Sequence, residues 1–155
     1  MDPISTEALN GLATAIQSLM PAPADPNLKP SISVRALSIA PSGIGGVVGL
    51  HHEPDGDIVG RRIEAIVVVG LRAQADAADA AVSGAINAIL AADRAALVNQ
   101  GLLRVAVDKI GDRTAGQGTL VEQDVGFRVL YEFLKKPVDP GDIIREIPLN
   151  IQLQQ

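Results

Sequence analysis

The sequence predicts an α+β fold: a mostly antiparallel sheet with two helices packed on one face. The predicted order is helix, strand or strands, strand, helix, hairpin, then a C-terminal β arm. Three observations carry this. Apolar residues recur at helical spacing over 6–20 and again over 76–97. They alternate at period two, or run on in β-branched residues, over 58–73 and 120–134. Turn-forming residues join the strands at Pro54-Asp55-Gly56-Asp57 and within Gly111-Asp112-Arg113-Thr114-Ala115-Gly116-Gln117-Gly118. Strands in this order, with amphipathic helices before and between them, pack as one sheet beneath a helical layer.

The first helix is expected over residues 6–20. Ser5 is placed to cap it, and Glu7 sits near the positive end of its dipole. Leu9, Leu12, Ala13, Ile16, Leu19 and Met20 form its apolar stripe, and Pro21 and Pro23 stop it. The proline-rich stretch 21–30 reads as a stiff, extended linker rather than a packed element. Residues 31–40 form a strand in which Ile32 and Val34 alternate with Ser33 and Arg35, and residues 45–52 form a second, weakened by glycine. The most β-prone segment follows, with Ile63, Ile66, Val67, Val68 and Val69 apolar on both faces. It predicts a central strand covered on both sides, either within the subunit or by a neighbour.

The second helix is expected over 76–97, with Asp76 and Asp79 in its first turn. Its buried stripe is Ala78, Val82, Ile86, Ile89, Leu90 and Leu97, and Asn99-Gln100-Gly101 ends it. Leu103, Val105 and Val107 mark a half-buried strand. Residues 111–118 read as a flexible connection to a long strand over 120–134, with Val121, Gln123, Val125, Phe127, Val129, Tyr131 and Phe133 on one face and mostly polar residues on the other. These two strands pair as an antiparallel hairpin. After Pro137, Ile147, Leu149, Ile151 and Leu153 alternate against Glu146, Pro148, Asn150 and Gln152. Pro148 cannot donate to a ladder, so this segment is an edge strand or a detached arm. It either folds back on its own sheet edge or adds a strand to a neighbour. The chain is thus read as one α+β domain over 1–137 and an arm over 138–155.

Composition narrows the function. The 155 residues are 47% hydrophobic, enough for a packed core. Cysteine is absent, which removes disulfides, thiol nucleophiles and Cys-based zinc sites. Phe127, Tyr131 and Phe133 are the only aromatic residues, too few and too clustered to stack single-stranded nucleic acid. The formal charge is -5, a deficit of the Lys and Arg that a phosphate-binding surface needs. No Lys or Arg precedes Lys29 and no apolar run is long enough to span a bilayer, so a soluble protein made in the cytoplasm, with no membrane partner, is expected.

Candidate chemistry is sparse. His51-His52-Glu53 with Asp55 and Asp57 has metal-ligand character, but adjacent strand residues point to opposite faces, and the cluster reads as a solvated turn. The glycines at 43, 45, 46 and 49 precede a β-prone segment rather than the helix that a dinucleotide fingerprint requires. Arg61-Arg62 and Lys135-Lys136 read as solvated strand ends. Asp108, Asp112, Glu122 and Asp124 read as the wet face of the hairpin. No GxSxG motif occurs. No catalytic, cofactor-binding or metal-binding residue is therefore predicted, and the protein is expected not to be an enzyme.

The element order over roughly residues 5–134 resembles the tail-terminator (tail-completion) proteins of long-tailed bacteriophages and related neck or cap subunits of phage-like contractile systems. These begin with a helix like 6–20, continue through strands like 31–40 and 62–72 and a helix like 76–97, and close with a hairpin like 103–110 and 120–133. The resemblance implies a structural ring, a hexamer, that caps the tail tube and joins it to the head or neck. Its implied partners are sister copies, tail tube or sheath proteins and neck or connector proteins, with DNA passing without sequence recognition. Its implied place is the virion tail or neck, reached from the host cytoplasm. The expected subunit-interface residues are Ile147, Leu149, Ile151 and Leu153 in the arm and Ile66 and Val68 in the central strand. The alternatives are a regulatory oligomerisation module or a small ligand- or metal-binding α+β domain.

Overall fold

The computed structural model describes residues 2–23, 25–42, 47–51 and 56–135; the predicted arm, 138–155, lies outside them. The elements are α1 (Pro3–Leu19), a 3-10 turn (Pro26–Leu28), β1 (Ser31–Pro41), β2 (Val47–His51), β3 (Gly56–Gln74), α2 (Ala78–Leu90), α3 (Arg94–Asn99), β4 (Leu102–Ile110), β5 (Thr114–Ala115) and β6 (Leu120–Lys135). The fold is α+β, and every strand pair is antiparallel. Strand order is β1-β3-β6-β4, with β2 extending the line of β1 along β3 and β5 extending that of β4 along β6.

The two segments with the strongest β pattern become the centre. β3 and β6 pair without interruption from Val59↔Lys135 to Gln74↔Leu120. Residues opposite one another share a face. Ile63, Ala65, Val67, Val69 and Leu71 of β3 therefore stand beside Tyr131, Val129, Phe127, Val125 and Gln123 of β6. This face is the core: Ile63, Val67, Val69, Val125, Phe127 and Val129 are fully enclosed. α1 contributes Ala8, Leu12, Ala15 and Ile16, and α2 contributes Ala85 and Ile89. Each fully buried Leu, Ile, Val or Phe side chain contributes about 1.5–3 kcal/mol. The alternation predicted over 120–134 is observed, with Val125, Phe127, Val129 and Tyr131 buried and Glu122, Asp124 and Arg128 exposed.

Four expectations are corrected. α1 is capped by Asp2, not Ser5. The Asp2 carboxylate accepts from the Ser5 backbone N–H at 2.8 Å and from its hydroxyl at 2.9 Å, while Pro3 takes the position where a missing N–H costs nothing. The single helix predicted over 76–97 is two, α2 and α3, because Asp93 adopts an extended conformation (φ -59, ψ 130) between them. Aspartate competes poorly inside a helix and well just before one, and its neighbouring alanines mask the break in the sequence. The 21–30 linker is tied down: Asp25 caps the 3-10 turn through the Asn27 N–H at 3.0 Å, and the Arg72 guanidinium donates to the Asn27 carbonyl at 3.0 Å. The 111–118 connection contains β5, which pairs with β6 through Thr114↔Glu122 and Ala115↔Val121. No helix among the described residues is long and apolar enough to cross a membrane.

Candidate functional site

The helices cover one face of the sheet, and among the described residues nothing covers the other. Register sets its composition row by row. One row runs Arg35, Ile66, Arg128, Ala106 across β1, β3, β6 and β4. On one side lies Ser38, Glu64, Leu130, Arg104; on the other, Ser33, Val68, Gly126, Lys109. Ile66 and Val68 thus stand at the middle of the open face. Their neighbours Ile63, Val67 and Val69 belong to the core beneath. Ile66 is only 8% exposed although no helix lies over it. Arg35 and Arg128 flank it, and long arginine stems shield apolar surface while their heads stay in water.

The same face holds both signs of charge. It carries Arg35, Arg62, Arg72, Arg104, Lys109 and Arg128 against Glu64, Glu122, Asp124 and Glu132 by register, with Asp108, from the bulge in β4, beside Gly126. That is six of the chain's 13 cations and five of its 18 carboxylates, so this side of an acidic protein is close to neutral. Arg128 pairs with Glu64, and Arg62 with Glu132 at 2.9 Å. Arg104 and Lys109 form no ion pair among the described residues. Between Arg104, Arg128 and Glu64 lies a cleft of about 210 Å³, floored by Ala106 and Leu130. Arginine beside apolar side chains is a combination enriched at protein interfaces. The chemistry available there is carboxylate recognition by guanidinium.

The other candidates separate. His51 lies in β2 opposite Gly56, and His52, Glu53 and Asp55 lie outside the described residues. Among the described residues, no three His, Asp or Glu side chains are grouped to hold a metal. β2 occupies the place where a dinucleotide-binding turn would open a helix. Arg61 reaches Asp2 at 3.6 Å, and Lys135 reaches Glu7 at 2.9 Å; Lys136 lies outside the described residues. Asp108, Asp112, Glu122 and Asp124 are all exposed on or beside the β4–β6 ribbon. The perturbed titrating groups lie off the open face: Ser5 hydrogen bonds hold the Asp2 carboxyl low, and burial pushes Tyr131 up. A second concavity, about 420 Å³, opens where α3, the start of β4 and the end of β6 meet, between Val98, Gln100, Tyr131 and Phe133. Of the expected interface residues, Ile147, Leu149, Ile151 and Leu153 lie outside the described residues.

Sequence reading missed the arginine cluster. Arg35, Arg104 and Arg128 are far apart along the chain, and only strand order and register make them neighbours. No protein-family model matches the chain, and no curated protein matches it.

Proposed function

We propose that this chain is a structural ring subunit that caps or terminates a phage-type tail tube and joins it to the head or neck. The observation that carries this reading is the open sheet face, with Ile66 and Val68 at its centre and arginines around them. Ile66 is already shielded within the subunit by the arginine stems beside it, while Val68 stays half-buried on a face that no described helix covers, and a sister copy or tail component gives that remaining apolar surface a function. The succession α1, β1, β3, α2, β4, β6 also keeps the order on which the resemblance to tail-terminator proteins rests. The ring is a hexamer, its partners are sister copies, tail tube or sheath proteins and neck proteins, and its place is the virion tail or neck. The acidity of the chain away from the open face suits a channel through which DNA slides without sticking.

Negative-stain imaging of the purified protein, together with co-sedimentation on tail tubes, tests this. Equal lobes around a central hole, and retention on tubes, are expected. A monodisperse monomer at high concentration that ignores tubes overturns the reading. Rings that ignore tubes replace it with the oligomerisation module.

A further inference from the structure

We propose that the outer edge of β4 receives the C-terminal arm of a sister copy, residues 146–153, as an added antiparallel strand whose apolar side chains cover the groove between β4 and the α2–α3 layer. The inference rests on the ring reading and names the contact that joins neighbouring copies.

Hydrogen-bond phase defines the receiving edge. The Gly111 N–H donates to the Asp124 carbonyl at 2.8 Å, and the Glu132 N–H to the Gly101 carbonyl at 2.9 Å. Between these bonds the antiparallel ladder alternates, so Arg104, Ala106 and Lys109 turn their backbone groups to β6. Val105, Val107 and Ile110 turn theirs outward, to no partner strand among the described residues. Their side chains lie on the core face, opposite Val129, Phe127 and Val125. Yet Val107 and Ile110 are 36% and 48% exposed, and Leu90 and Val98 of the helical layer are exposed as well. Leu90, Val98 and Val105 line one groove of about 270 Å³ along the start of β4. On its other face this edge carries Arg104 and Lys109, which form no ion pair among the described residues. The opposite edge, β1, is a poorer host. Ile32, Val34, Ala36 and Ile39 are already packed against the core, and Arg35 is its only charged residue.

The arm matches this edge in phase and charge. Residues directly opposite in an antiparallel pair share both a face and a hydrogen-bonding phase. With its apolar set on the core face, the arm turns the backbone groups of Ile147, Leu149 and Ile151 to β4 and the nitrogen of Pro148 away, where a missing N–H loses no bond. Paired parallel, the same face would aim Pro148 at β4 and lose one. Ile147 beside Val107 sets Pro148 beside Ala106, Leu149 beside Val105 and Glu146 at Lys109, a carboxylate against a free cation. Reach assigns the arm to another copy. β6 ends at Lys135, and the row of Lys109 lies at Gly126, nine residues back and about 30 Å along the strand. To lie antiparallel on its own β4, the chain would have to reverse after Lys135, cover that distance and reverse again before Glu146. Residues 136–145 number ten and span at most about 33–36 Å fully extended, too little for two reversals and the step across β4. Arm and edge are different surfaces, so the contact is heterologous, and repeated through a rotation that closes it generates a ring.

The chain has no cysteine, so an introduced disulfide reports the contact without background. Ala106 and Pro148 form a pair that exchanges no backbone bond, the class with the closer side chains. One full chain carrying Ala106→Cys, mixed with another carrying Pro148→Cys and oxidised, is expected to give covalent dimers. Ser33→Cys, on β1, in place of Ala106→Cys is expected to give none. With Ala106→Cys and Pro148→Cys on one chain, covalent multimers are expected. Val107→Asp is expected to weaken association at least tenfold in sedimentation equilibrium, with circular dichroism and melting confirming the fold. Rings that form without the Ala106–Pro148 link, a link within one chain, a link to Ser33→Cys, or association that Val107→Asp leaves intact each overturns this contact while leaving the ring reading in place. A monomeric wild type overturns both.

Discussion

Asp2 begins the fold. Its carboxylate accepts two hydrogen bonds from Ser5 and lies 3.6 Å from the Arg61 guanidinium, which joins α1 to β3. The Ser5 backbone N–H, then the Ser5 hydroxyl, and more weakly the Arg61 charge, hold this carboxyl below its ordinary range. The folded chain therefore binds this proton less readily than the unfolded chain. The stabilisation is complete above the unfolded aspartate value of about 3.9 and is lost as pH falls through the lower folded value. Asp2→Ala should accordingly melt below wild type at neutral pH, and the gap should close in acid; a gap that ignores pH would contradict the assignment. Gly101 is the second residue on which local geometry turns. Its φ is +85, and an added Cβ would run into the Glu132 carbonyl and the Tyr131 ring. Its own carbonyl accepts from the Glu132 N–H at 2.9 Å. Gly101→Ala is expected to cost about 1–3 kcal/mol in denaturant unfolding. The sequence marks Gly101 as the stop after a helix, whereas the Asp2 cap, two residues from the chain start, is hidden by the equally suitable Ser5.

Among elements, the strands were more legible than the helices. A period of two survives in β6 because one face packs on a core and the other is wet, and the pairing of β4 with β6 follows from their sequence proximity. The β3–β6 ladder is not local, and no short-range signal announces it. Bulges also interrupt the pattern. The register of β1 shifts between Ala36 and Ser38, and Leu37 there is 41% exposed. In the helical layer, alanine is compatible with helix, cap and turn alike, so the break at Asp93 does not stand out. α2 retains one weak point. Gly84 lies within it, and a Cβ there would meet no atom within 4 Å. Gly84→Ala should raise stability by about 0.5–1 kcal/mol, measured by thermal unfolding, because it reduces the backbone freedom lost on folding at no steric cost.

At the scale of the whole molecule, the sheet is covered on one face, and its outer strands β1 and β4 each lack a second neighbour among the described residues. The arm residues Ile147, Leu149, Ile151 and Leu153 have the period that a strand-adding segment needs. Deleting 147–155 is expected to weaken subunit association more than it lowers monomer folding stability. Light scattering checks the first and denaturant unfolding the second, and equal oligomer mass for the full and shortened chains refutes the idea. The amino-acid sequence alone determined the α+β class, the element order and which side of β6 is apolar, because periodicity and turn chemistry are local properties of the chain. Tertiary structure alone decided that Ile66 and Val68 stand on the open face, and that Arg35, Arg104 and Arg128 gather around them. Such neighbours are set by strand order and register, which depend on how distant segments share one core, and a one-residue slip in register would turn each of these side chains to the opposite face.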